Sequence, residues 1–193
     1  MVLTPRQAIG TILLTQRIYL DHAATTPMLP QAIAAVEEGM RRWANPSSPH
    51  AEGRAARAAL EDARARIAAA YGWAHEVVLT SGASESLYLA LKRSMAERRL
   101  ITAVEHDAVL RHSEGARVLP VLADGTLNLD ALREAIGPGV MLCVQRTNSE
   151  TGVIQPIEAI AEIVKAAGGI LLVDAAQMPA RASAAVLRHS DLV

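Results

Sequence analysis

GILLVDAAQ, Gly169 to Gln177, sets an unbroken aliphatic run directly against an acid and, three residues on, an amide. A strand that is apolar on both faces is what a parallel sheet covered by helices on both sides requires. In such sheets the residues just beyond the carboxyl end of each strand are where ligands sit. The stretch therefore carries both a fold and a place to look for function. The pattern recurs outward from it: EVVLT (76–80), LITAV (100–104), RVLPVL (117–122) and VMLCVQ (140–145) read as further strands. Helical periodicity over 84–96, 128–136 and 156–167 separates several of them. Alternation of this kind predicts an α/β fold, a mostly parallel sheet flanked by helices.

Upstream the pattern changes. IYLD is a short apolar run from Ile18, and Met28 to Trp43 has helical spacing with Ile33, Val36 and Met40 on one face. Asn45 to Gly53, NPSSPHAEG, reads as a loop, followed by an Ala- and Arg-rich helix from about Ala55 to Tyr71. That helix reads as core packing. At 193 residues one sizeable domain is the expectation. Residues 1–17 read as an N-terminal extension: Pro5 and Gly10 interrupt its apolar segment and no small-residue cleavage site follows, so no signal peptide is expected.

With 20% charged residues and a net charge of −1, electrostatics gives no reason to expect nucleic acid or an anionic membrane as partner. No apolar run approaches the ~20 residues of a membrane span. A lone cysteine, Cys143, excludes an internal disulfide and fits a reducing, cytoplasmic setting; inside its apolar run it reads as a small buried hydrophobe. No metal site is expected.

Four strand ends carry polar groups. After EVVLT comes SGASES, where Gly82 allows a sharp turn and small residues leave the amides of a helix N-terminus accessible, a plausible phosphate cradle. The plainer reading is helix capping by Ser81 or Ser84. After LITAV stands His106, able to act as acid, base or stacking surface, or simply to serve structure. After VMLCVQ, the cluster Asn148, Ser149 and Glu150 precedes Gly152 and suits either a ligand or an Asx-type turn. Asp174 ends the most apolar strand; it needs a partner, which a cationic ring nitrogen supplies, or it caps its own turn. Together these groups match what pyridoxal phosphate requires: a phosphate cradle, a stacking ring and an acid on its pyridinium nitrogen.

The segments YLDHAATTP, NPSSPHAEGR, LTSGASES, VEHDAVL, TNSETGVIQPI and LLVDAAQ, in this order and spacing, resemble the cysteine desulfurases of the class V aminotransferase family, the NifS/IscS-like enzymes. The resemblance covers Tyr19 to Val193 and implies the large domain of a fold type I transferase dependent on pyridoxal 5'-phosphate, over residues 18–193. It implies that Ala83 and Ser84 contact the cofactor phosphate, that His106 stacks on the ring and takes part in catalysis, that Asp174 pairs with the pyridinium nitrogen, and that Gln177 contacts the ring hydroxyl. Asn148 and Ser149 are implied as cofactor contacts, Ser149 standing where the family commonly has a longer Asn. Asn45 and His50 are implied as substrate-loop residues. His22 stands where Asn or Tyr is more usual.

The chain closes on RHSDLV, Arg188 to Val193, which reads as the opening of another strand. In the family a Ser-x-His-Lys segment with the Schiff-base lysine follows that strand, and the nucleophilic cysteine and a small C-terminal domain lie beyond. The two lysines of this chain, Lys92 and Lys165, fall in expected helices. The resemblance thus implies the N-terminal part of a truncated desulfurase, inactive alone. A complete enzyme would take sulfur from L-cysteine, giving L-alanine and a persulfide for a sulfur-acceptor protein, as in iron–sulfur cluster assembly. It would work as a homodimer or with a complementing second chain. A non-catalytic binding protein, or another class V activity such as selenocysteine lyase or an aminotransferase, stays open.

Overall fold

The computed structural model describes residues 18–193 except 180 and 182. The extension read over 1–17 lies outside the described residues. The chain divides at Arg41/Arg42 into two units.

In the first, a turn near Asp21 leads to helix α1, Pro30–Arg41. Pro at its first position loses no intrahelical hydrogen bond. The expected stripe is present, but Ile33, Val36 and Met40 are all exposed and the helix buries no residue.

The second unit opens with α2, Ala51–Tyr71, longer at its start than the periodicity suggested because His50 caps it: Nδ1 accepts the Gly53 N–H at 3.2 Å. Gly72 ends it at φ 60°, a left-handed conformation that glycine adopts without Cβ strain. Then follow α3 (Ala83–Arg93), β1 (Arg98–Thr102), α4 (Asp107–Leu110), β2 (Arg117–Leu119), α5 (Leu129–Ala135), β3 (Val140–Gln145), α6 (Ile157–Ala166), β4 (Ile170–Asp174) and a 3-10 helix, Ala184–His189. The strands form one parallel sheet in the order β2-β1-β3-β4.

β3 is buried at every position, and its alternate side chains feed two cores. Val140, Leu142 and Val144 pack with Leu132 of α5 and Ile157, Ile160 and Val164 of α6. Met141 and Cys143 face the other way, onto Leu87 and Leu91 of α3 and Val109 of α4. This is the helix-covered parallel sheet that the doubly apolar runs predict. Among the described residues no helix is long and apolar enough to cross a membrane.

Two expected strands change. RVLPVL is a strand only to Leu119, because Pro120 has no N–H to continue a ladder and the chain turns at Asp124–Gly125 so that Val121 bridges Leu127. EVVLT is not a strand: it is extended but pairs with none of the described residues' strands, and Val78 and Leu79 are exposed. Its composition suits a central strand, but a strand needs a neighbour to complete its ladder. An apolar cavity of about 520 Å³ lies beside it, lined also by Leu172, Val173, Leu192 and Val193. SDLV makes a single isolated bridge and not a strand: Leu192 bridges Leu172 in parallel and donates to Leu171 O at 3.1 Å, and Asp191, Leu192 and Val193 are exposed.

Two side-chain details give stability tests. Buried Gln155 joins distant loops: its Oε1 accepts the Leu127 N–H at 2.8 Å and its Nε2 donates to Gly125 O at 2.9 Å. Gln155→Leu leaves both backbone groups without partners and is expected to cost about 1–3 kcal/mol, read as a lower urea midpoint. At Gly53 an added Cβ would lie 2.3 Å from Ser48 O and 2.9 Å from Asn45 O, both backbone. Gly53→Ala gains up to about 1 kcal/mol in helix propensity, yet it is expected to destabilise by about 1–3 kcal/mol, because overpacking against backbone outweighs that gain; thermal unfolding reads the sign.

Candidate active site

The site is built from the strand ends. α3 starts at Ala83 with Gly82 before it and no side chain capping its first amides. The anticipated Ser81 or Ser84 cap is not formed. Instead the Ser81 N–H donates to Glu85 Oε2 at 2.6 Å, and this bond holds the Glu85 carboxyl below the usual range. The helix start thus keeps backbone donors and the Ser84 hydroxyl available, with the partial positive charge of a helix N-terminus behind them.

Opposite lies the end of β4. Asp174 is half-buried; its Oδ1 accepts the Ala176 N–H at 2.9 Å, which is the turn-capping reading. Gln177 follows, its Oε1 accepting from Arg181. His106 begins α4, its Nδ1 accepting the Ala108 N–H at 3.1 Å, so a neutral ring carries its proton on Nε2.

A cavity of about 90 Å³ gathers these groups: Ala83, Ser84, His106, Ser149, Asp174 and Gln177 all line it. Three strand ends and one helix start therefore converge, although Ala83 and Asp174 are far apart in sequence. Asn148 is near but not among the lining residues. Its Oδ1 accepts the N–H groups of Glu150 (3.0 Å) and Thr151 (2.8 Å), and its Nδ2 donates to Val104 O at 3.1 Å. This is the Asx-type turn, and it holds the loop that presents Ser149. Asn45 and His50 do not reach the cavity either; Asn45 Oδ1 accepts the Ser47 N–H at 2.9 Å, and His50 caps α2.

The sequence reading passed over Gln145 and Thr147, which also line the cavity. Gln145 ends β3 as Asp174 ends β4, and the two are register partners. The rule that picked out Asp174, a polar group closing an apolar strand, applies equally to Gln145. Cys143, two residues earlier, is fully buried on the same strand, and burial pushes its thiol well above the usual thiol range, which leaves it a packing residue. Lys92 and Lys165 lie on exposed faces of α3 and α6 and neither lines the cavity.

As a donor set, an uncapped helix start with a serine, an imidazole, an amide and a strand-end carboxylate suits a phosphorylated cationic heteroaromatic such as pyridoxal phosphate. The comparison with known proteins agrees. Residues 18–187 match the model of the class V aminotransferases. The chain is 42% identical over 180 residues to an IscS-like cysteine desulfurase of Mycobacterium tuberculosis, covering 82% of this chain and 46% of that protein. It is 36% identical over 179 residues to a cysteine desulfurase of Cereibacter sphaeroides, covering 84% and 46%. Its fold is similar to that of a NifS-like protein from Rickettsia africae, with a TM-score of 0.76, 29% identity and coverage of 84% of this chain and 49% of that one. It is also similar to SspA solved in complex with cysteine, with a TM-score of 0.69, 34% identity and coverage of 84% and 51%. The chain spans about half the length of the curated relatives it matches. Dependence on pyridoxal phosphate is implied by the family. On its sequence and its fold together, the chain belongs to the class V aminotransferase family, and within it is similar to the cysteine desulfurases.

Proposed function

We propose that this chain supplies most of the cofactor pocket of a pyridoxal 5'-phosphate-dependent cysteine desulfurase, in the large domain over residues 18–193. The observation that carries the reading is the single cavity on which the start of α3, His106, Ser149, Asp174 and Gln177 converge. The complete enzyme takes sulfur from L-cysteine, leaving L-alanine and a persulfide that passes to an acceptor protein. A second subunit, either another copy or a complementing polypeptide, belongs to this reading. When bound, pyridoxal phosphate supplies an electron sink for carbanion chemistry.

The chain's own residues do the holding. The amides at the start of α3 and the Ser84 hydroxyl bind the phosphate dianion, with the helix dipole favouring it. Asp174 keeps a proton on the ring nitrogen by offering it a carboxylate at the end of a buried strand. Gln177 and Ser149 orient the ring through its oxygen. His106 would cover one face, and with Nδ1 accepting the Ala108 N–H its Nε2–H is the donor it turns to the pocket; to take up a proton at Nε2 the ring would first move its own proton to Nδ1 and release the Ala108 N–H. Neither lysine lines the cavity, so binding to this chain is non-covalent.

Titration with pyridoxal 5'-phosphate, followed by absorbance, is expected to show reversible binding. Ser84→Ala and Asp174→Asn should each weaken it about tenfold or more, the weight of one charge-assisted hydrogen bond. Affinities unchanged in both variants would overturn the reading. Borohydride treatment of the loaded chain followed by peptide mapping should leave Lys92 and Lys165 unmodified; a cofactor adduct on either would show that the pocket has been misplaced.

A further inference from the structure

One buried acid stands outside the roles given so far. Glu105 directly precedes His106, yet its side chain turns inward and is 7% exposed. Its Oε1 accepts the Thr102 hydroxyl at 2.5 Å and the Gln145 N–H at 3.2 Å. Its Oε2 is buried with no hydrogen-bond partner. Gln145 is the register partner of Asp174, and the carbonyl of Val104, next to Glu105, accepts from both Gln145 Nε2 and Asn148 Nδ2. The Glu105 carboxyl thus ties the end of β1 to the end of β3, one strand away from Asp174.

The charges around it decide its state. From β4 the carboxylate of Asp174 acts on it, and repels. From β3 comes the Cys143 thiol, which burial keeps neutral. The Arg146 guanidinium donates Nη1–H to Gln155 O. In its own loop, His106 accepts the Ala108 N–H. An ionised Glu105 would be a buried charge with one oxygen unpartnered, whereas a neutral acid leaves only one hydroxyl unsatisfied.

We propose that Glu105 is a positioning residue for Asp174, a neutral acid sealed behind the cofactor pocket that leaves Asp174 as the one acid lining it and holds its proton less tightly when a cation binds at Asp174. This rests on the reading that Asp174 receives the cationic ring nitrogen. Burial outweighs the opposing hydrogen bonds from Thr102 and Gln145 and, with a smaller push from the Asp174 charge, raises the Glu105 carboxyl to about 7. A carboxyl raised on folding adds stability that is fully present below its unfolded value and is lost as pH rises through about 7.

The test is carboxyl ¹³C NMR of the glutamate-labelled chain, with Glu105 assigned through the backbone. Its midpoint is expected near 7, lower in Asp174→Asn, and lower again in the wild type saturated with pyridoxal 5'-phosphate. Affinity for that ligand should rise more between pH 6 and pH 8 in the wild type than in Glu105→Gln, and the urea midpoint should fall over the same interval only in the wild type. A Glu105 midpoint below 5, or one unmoved by Asp174→Asn, overturns the proposal. Should Asp174→Asn fail to fold, the wild-type midpoint and the urea comparison decide. Should pyridoxal phosphate not bind at all, the functional reading falls, while the unliganded titration still judges the coupling between the two carboxyls.

Discussion

β3 is hydrogen-bonded on both edges, to β1 through Arg98↔Val140 to Ile101↔Cys143 and to β4 through Met141↔Ile170 to Gln145↔Asp174. Because these pairings are parallel, all three strands end on the same side, and a register slip of one residue would exchange the faces of every side chain. The two cores on either side of β3 forbid that slip: Leu142 and Val144 must meet α6, while Met141 and Cys143 must meet α3. The site depends on the same constraint, since the register that satisfies the cores also sets Gln145 beside Asp174 and brings both level with the start of α3.

The polar groups at the strand ends complete what burial begins. Chain reversal after β3 is held by Asn148, which satisfies two amides of its own turn and reaches across to Val104. The Arg146 N–H donates to Asp174 O at 2.7 Å, carrying the β3–β4 ladder one step past the strands, to the edge of the cavity. Among the side chains lining the pocket, Gln145 donates to Val104 O across the strand ends, while His106 and Asp174 are held by amides of their own turns, those of Ala108 and Ala176; such second contacts are the support that a binding constellation needs.

What the sequence makes legible is whatever is decided locally or by burial on both faces. VMLCVQ and GILLVD read as buried parallel strands and are such, and Ser84, His106, Ser149, Asp174 and Gln177, which line the cavity, were singled out by the rule that ligands gather at strand ends. EVVLT carries the same apolar signal and forms no strand, because periodicity reports how much burial a segment wants and says nothing of whether a neighbour is there to pair with it. Asn148 was legible as a type and ambiguous between ligand and turn, and the geometry shows its oxygen committed to the turn. Glu105 was hidden by its neighbour: beside a histidine an acid looks like a solvent-facing loop residue, and nothing local says that its side chain folds back under Thr102.

The order in which the pocket's parts occur along the chain has a consequence for synthesis. The start of α3 is made first, His106 and Ser149 after it, and Asp174 and Gln177 last of these, with most of the sheet lying between the first and the last. A chain emerging from the ribosome, amino end first, presents the helix-start side of the cavity before the side made by the end of β4. Closure of this cavity therefore waits on the docking of β4 against β3, and until that strand arrives the start of α3 faces no carboxylate from it.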